Sequence, residues 1–162
     1  MRHEMTREQK QEFTLRISQA NSTELVAILY EMLICYLQDG CDALEKDDES
    51  EFKEAIRKAR GCLAELMNSL NLKYEPAPAI LSLCGFCIRR LAVAELRKSG
   101  EPLREAERVI KPLGDAYGQI AKRNSAGPVM NNSQAVYAGL TYGRNTLTEN
   151  MADQGANRGM FA

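Results

Sequence analysis

The sequence predicts an all-α protein, and three observations lead to that prediction. Apolar residues recur at spacings of three and four through most of residues 21–123, and no strand pattern is evident. The 162 residues are 44% apolar and 27% charged, a composition that can bury one core. Short connections between the periodic segments predict an antiparallel four-helix bundle at 21–123. A short N-terminal arm at 1–20 precedes it, and a long, mostly irregular C-terminal tail at 124–162 follows it.

The first two predicted helices begin at capping residues. Asn21, followed three residues later by Glu24, marks the start of a helix that continues to about Glu45. Its apolar residues cover more than one stripe, which predicts a central position in the bundle. Asp48 caps the second helix, which spans about 51–70 and presents a single apolar stripe.

The other two predicted helices follow prolines. Pro76 and Pro78 interrupt the second helix pattern, and Pro78 suits the first turn of a third helix over about 78–99. The middle of that helix is mostly apolar, so we expect it to be central as well. Pro102 suits the start of a fourth helix, whose apolar stripe continues to Ile120.

Charge and motif content exclude several classes of function. The 21 Lys and Arg residues are scattered and balanced by 22 Asp and Glu, so we expect no nucleic-acid partner. No apolar run reaches the roughly 20 residues of a membrane-spanning helix, and the N-terminus lacks a secretory hydrophobic segment. We therefore expect a cytoplasmic protein without membrane insertion. The single histidine, His3, and the lack of phosphate-binding or hydrolase motifs argue against an enzyme, and we expect no cofactor.

Five cysteines raise the question of redox or metal chemistry. Their odd number and their positions in helical patterns predict reduced thiols. Cys84 and Cys87 form a CxxC pair, and a dithiol redox protein is therefore an alternative. Such a pair needs a thiol at a helix N-terminus, whereas helical apolar residues precede this one. Zinc would need a second such pair or two histidines, so we expect no metal site and favour burial as small apolar side chains.

Residues 20–31, ANSTELVAILYE, resemble the opening of the flagellar protein FliS family, where a small capping residue leads into LIxMLY followed by an acid. The similarity continues in the same order through the later helices and covers roughly residues 17–123. The matching positions are Leu25, Val26, Leu29, Tyr30 and Glu31, then residues 56–59, 65–71, 89–91 and 94–95, and finally Leu113, Ala116 and Tyr117.

The resemblance implies a cytoplasmic chaperone that binds the disordered C-terminal segment of flagellin, prevents its premature polymerisation and aids its export. Other flagellar export components are further expected partners, and we expect a monomer or a weak dimer. A generic helical adaptor that binds another amphipathic helix is the main alternative. An amphipathic partner docks through apolar anchors, so the candidate binding residues are Phe13, Ile17, Leu25, Met32, Leu63, Leu66, Met67, Leu70, Ile80, Leu83, Phe86 and Cys87.

The C-terminal tail is polar, with four charged residues among residues 124–162, and is rich in Gly, Asn and Ser. This composition predicts a flexible segment. Val136, Tyr137 and Leu140 interrupt it at a spacing that would share one helical face. A second hypothesis is therefore that residues 134–151 occupy the flagellin groove until flagellin displaces them.

Overall fold

The computed structural model describes residues 5–123, and within this range the chain forms five α-helices and no strands, which confirms the all-α prediction. No helix in this range has the length and apolarity needed to cross a membrane. The predicted tail at 124–162 lies outside the described residues. The helices are α1 Arg7–Gln19, α2 Ser22–Glu45, α3 Glu49–Asn68, α4 Ala77–Arg97 and α5 Glu101–Arg123.

Side-chain caps begin α2 and α3 where the sequence predicted them. The Asn21 side chain accepts a hydrogen bond from the backbone N–H of Glu24 at 2.9 Å. The Asp48 carboxylate accepts one from the backbone N–H of Glu51 at 3.0 Å. Pro78 lies in the first turn of α4, where the missing N–H of a proline leaves no helical hydrogen bond unmade.

The N-terminal arm contains a helix, α1, that the apolar pattern did not predict. The Thr6 hydroxyl accepts a hydrogen bond from the Gln9 backbone N–H at 3.1 Å, and the Gln9 side chain accepts one from the Thr6 N–H at 2.8 Å. This reciprocal pair is a capping box, which satisfies two N–H groups at the start of the helix. The apolar residues of α1 are too few to form a periodic stripe, and the helix is therefore visible in the sequence only through its cap.

Helices α2 to α5 contact one another in a closed cycle, and α1 lies outside it on α2. Helix α2 contacts α3 and α5, while α4 contacts the other sides of the same two helices. Glu49 at the start of α3 pairs with Lys98, just beyond the end of α4, at 3.2 Å. Near the end of α2, the Cys41 thiol donates to the carbonyl of Gly100, next to the start of α5, at 3.7 Å. These pairs show that α4 runs antiparallel to α3, and α5 antiparallel to α2.

The main core fills the space enclosed by α2 to α5. Tyr30 of α2 is 1% exposed and stacks on Tyr117 of α5, with 5.3 Å between ring centroids. Burial raises the pKa of the Tyr30 phenol well above its ordinary value. Besides Tyr30, the largest fully buried side chains are Leu33, Leu37, Phe52, Ile56, Leu63, Leu66, Leu91, Leu103 and Ile110.

Gly40 allows α2 and α5 to approach closely. A Cβ atom at this position would lie 2.8 Å from Leu103 Cδ1, which is shorter than any normal carbon contact. Leu103 is 1% exposed and has little room to move aside. The close packing between these two helices therefore requires a glycine at position 40.

Candidate functional site

An apolar strip on α2, formed by Leu25, Ile28 and Met32, is covered by α1. Ile17 of α1 is buried against Leu25 and Ile28, and Phe13 packs on the same cluster as Met32. The buried residues of this cluster are not part of the main core, and Met32 packs against both. The structure thus brings together four of the predicted binding residues, namely Phe13, Ile17, Leu25 and Met32.

Polar contacts hold α1 on α2 at two places. Near the end of α1, Arg16 forms an ion pair with Glu31, and these side chains are 39% and 49% exposed. Before the start of α1, the Met5 backbone N–H donates to the Asp39 carboxylate at 3.1 Å. Exposed ion pairs stabilise proteins by about 0 to 1 kcal/mol, so the Arg16–Glu31 pair sets the direction of α1 more than its stability.

The apolar area that holds α1 is small. Within α1 only Ile17 is buried, and Leu15 of the same helix is 57% exposed. Burial of one large apolar side chain contributes about 1.5 to 3 kcal/mol. Ordering the backbone costs about 1 to 2 kcal/mol per residue before the hydrogen bonds of the helix are counted. Of the five helices, α1 can therefore leave the protein with the least loss of packing.

The other eight predicted binding residues lie on α3 and α4, apart from Leu70, which follows the end of α3. One of them, Leu83, is 37% exposed on α4. Three lie partly buried against the main core, namely Met67, Leu70 and Phe86. Four are buried inside it, namely Leu63, Leu66, Ile80 and Cys87. A partner reaches those four only if the helices separate, and a direct role for them stays a prediction.

Cys84 and Cys87 have the properties of core residues. They are 0% and 1% exposed, and burial raises their thiol pKa values to about 11 and about 12. A redox dithiol needs a lowered pKa, so the environment of this pair opposes that chemistry. The Cys87 thiol donates to the Ala106 carbonyl across to α5 at 3.9 Å. Within residues 5–123, no group of three or more His, Cys, Asp or Glu side chains is arranged to hold a metal ion.

A second surface feature, which we call the α1–α5 groove, lies beside the covered strip. It has a volume of about 720 Å³, and its floor is formed by Ala27, Ile28 and Ile34 of α2. Sequence reasoning missed this groove, although two glycines four residues apart in α5, Gly114 and Gly118, mark one of its walls. The groove has charged residues from all three helices along it, namely Arg16, Glu24, Glu31, Asp115 and Lys122.

Comparison with known proteins finds a family match over the described part of the chain. The family model of the flagellar protein FliS matches residues 5–124, a range that includes all five helices. The chain is also similar to the flagellar secretion chaperone FliS of Bacillus subtilis (strain 168). These two chains are 26% identical over 103 residues, which are 64% of this chain and 77% of that protein. Because the family match covers most of the 162 residues, the chain belongs to the flagellar protein FliS family.

Proposed function

We propose that this flagellar export chaperone binds the C-terminal segment of flagellin in the cytoplasm and keeps it from polymerising before export. One observation carries the proposal beyond the family assignment: among the described residues, Leu25 and Ile28 of the α2 strip pack outside the main core and are covered by α1, while Met32 packs on both clusters. Such an apolar surface can bind a partner helix that takes the place of α1. The family is one of chaperones, so we assign no reaction to the chain.

The spacing of the α2 strip suits an amphipathic helix as partner. Leu25, Ile28 and Met32 lie on one face of α2, three and four residues apart. Phe13 and Ile17, four residues apart on α1, fill this face as the anchors of a client helix would. In this proposal Phe13 and Ile17 compete with the client, and α1 leaves when flagellin binds.

The rest of the bundle would extend the binding surface. Coupled folding and binding typically buries about 1,000 to 3,000 Å², which is more than three side chains of one strip provide. We propose that α2 to α5 form a rigid antiparallel bundle around which a long client segment continues. The partly exposed predicted residues Met67, Leu70, Leu83 and Phe86 are then its further contacts, while the four predicted residues of the core support the surface from inside.

Calorimetry with a peptide of the flagellin C-terminal segment tests this function. Met32→Glu places a carboxylate in the α2 strip, where an unpaired charge is costly to bury, and should weaken peptide binding by about tenfold or more. The matched control is Leu96→Glu on α4, because Leu96 is 84% exposed and distant from the strip in the helix order. We expect 1:1 binding with a negative heat-capacity change in the wild type and in the control. Absence of binding by the wild type, or equal binding by both variants, would contradict the proposal.

A further inference from the structure

The α1–α5 groove has an apolar floor and polar walls. Ala27 and Ile28 are 8% and 3% exposed, and Ile34 completes the floor along α2. Arg16 and Gln19 of α1 form one wall. A volume of about 720 Å³ lies in the range of about 300 to 1,000 Å³ that is usual for ligand pockets. The groove can therefore receive several apolar side chains of an inserted segment.

The opposite wall, on α5, lacks side chains at two positions for different reasons. A Cβ atom at Gly114 would lie 3.2 Å from the Cβ of Tyr30, so close packing explains that glycine. A Cβ atom at Gly118 would meet no atom within 4 Å among the described residues. Packing between the described helices therefore does not require a glycine at position 118, and its effect is to widen the groove.

The chain itself continues from the edge of this groove. Ala121 and Lys122 line the groove, α5 ends at Arg123, and residues 124–162 follow. Ten residues, 124–133, separate this end from residue 134 and can span about 33 to 36 Å when extended. The wall from Gly114 to Arg123 is about 14 Å long at 1.5 Å per residue. A segment that starts at residue 134 can thus reach any part of the groove.

The chemistry of that segment matches the groove. Residues 134–151 carry only Arg144 and Glu149 as charged groups, so docking of this segment would bury few charges. Val136, Tyr137 and Leu140 supply apolar side chains for the floor. A segment tethered through about ten residues also meets the groove at an effective concentration of the order of millimolar, which compensates for modest intrinsic affinity.

We propose that residues 134–151 of this chain dock in the α1–α5 groove, with Val136, Tyr137 and Leu140 on its apolar floor. The docked segment contacts α1 and α5 together and so ties α1 to the bundle. This inference does not depend on whether the chain binds flagellin, because the groove and the segment belong to the same chain.

Photo-crosslinking in the full chain tests the docking. A benzophenone amino acid replaces Tyr137 in one protein and Phe161, which lies beyond the proposed segment, in the control. We expect crosslinks within one chain from position 137 to groove residues such as Ala27, Gly118 and Ala121, and none to the groove from position 161. Crosslinks between two copies, crosslinks to other surfaces, or equal groove crosslinking from both positions would overturn the proposal.

A groove-filling variant provides the second arm of the experiment. Gly118→Leu adds a side chain where the described residues leave open space, so we expect it to fold, as checked by circular dichroism. It should abolish the groove crosslinks from position 137 and accelerate hydrogen exchange in α1. Unchanged crosslinking in a folded Gly118→Leu protein would show that the segment does not use the groove, and would overturn the proposal whether or not flagellin binds.

Discussion

Shortening Ile17 to alanine should release α1 and strengthen flagellin binding. Ile17 is 9% exposed and packs on Leu25 and Ile28, outside the main core. The change removes this contact and keeps a residue that favours helices. The main core formed by α2 to α5 does not contain Ile17 and keeps its contacts, so the variant should unfold with nearly wild-type cooperativity.

The magnitude follows from the groups removed. Ile17→Ala deletes three carbon atoms from a buried side chain, which at about 0.8 kcal/mol per methylene weakens α1 docking by about 2 kcal/mol. That difference changes the ratio of released to docked α1 by about 30-fold. If flagellin binds only when α1 is released, its apparent affinity rises by at most the same factor.

Two measurements check this prediction, and α1 offers a matched control. Hydrogen exchange reports the opening of α1, and calorimetry reports the affinity for the flagellin peptide. Leu15→Ala removes a similar side chain from the same helix, but Leu15 is 57% exposed and contributes little to docking. We expect faster exchange in α1 and tighter peptide binding for Ile17→Ala, and wild-type behaviour for Leu15→Ala.

The reasoning fails in either of two cases. Equal exchange rates in both variants would mean that Ile17 does not hold α1 on the α2 strip. Faster exchange together with weaker peptide binding would mean that Ile17 contacts flagellin itself. The proposal that α1 competes with the client would then be wrong, although the family assignment would stand.

Three further predictions concern stability. Replacing both Cys84 and Cys87 by alanine should lower the free energy of unfolding by about 2 kcal/mol in urea titrations, because each deletes a buried group, and an unchanged value would contradict their burial. In the wild type that free energy should fall as pH rises above 9, because the thiols ionise near pH 9 when unfolded but only at about 11 and 12 when folded. The double alanine variant should lose less stability over the same range, and an equal loss would refute this cause. Gly40→Ala should destabilise the protein by about 1 to 3 kcal/mol, because the added methyl group clashes with Leu103. Gly61→Ala should instead stabilise it by about 0.5 to 1 kcal/mol, because open space surrounds the added group. Equal effects of the two substitutions would contradict the close approach of α2 and α5 at Gly40.

The helices of the main core were predictable because several independent signals agreed on each of them. Asn21 and Asp48 are capping residues directly before long apolar patterns, and Pro78 lies just inside its helix. For helix α1 the sequence signals do not agree, since its capping box at Thr6 precedes mostly polar residues without an apolar pattern. Its stability depends on contact with α2, and a pattern within one segment does not report that contact.

The candidate site was predictable from the sequence only in part, for a similar reason. Phe13, Ile17, Leu25 and Met32 were identified as candidates and lie together. Leu63, with the same kind of spacing, proved to be fully buried, because a helix face looks alike in sequence whether it meets another helix or a client. The α1–α5 groove was not predicted, because it depends on glycines in α5 and on the position of α1 beside them.

The most direct test of the account is hydrogen exchange of the full chain with and without a saturating amount of the flagellin C-terminal peptide. We expect the peptide to protect the α2 strip at Leu25, Ile28 and Met32 while the amides of α1 between Arg7 and Gln19 lose protection. This opposite response is the signature of a client that replaces the cover. Binding that leaves α1 as protected as in the free chain, or that protects α1 further, would contradict the account.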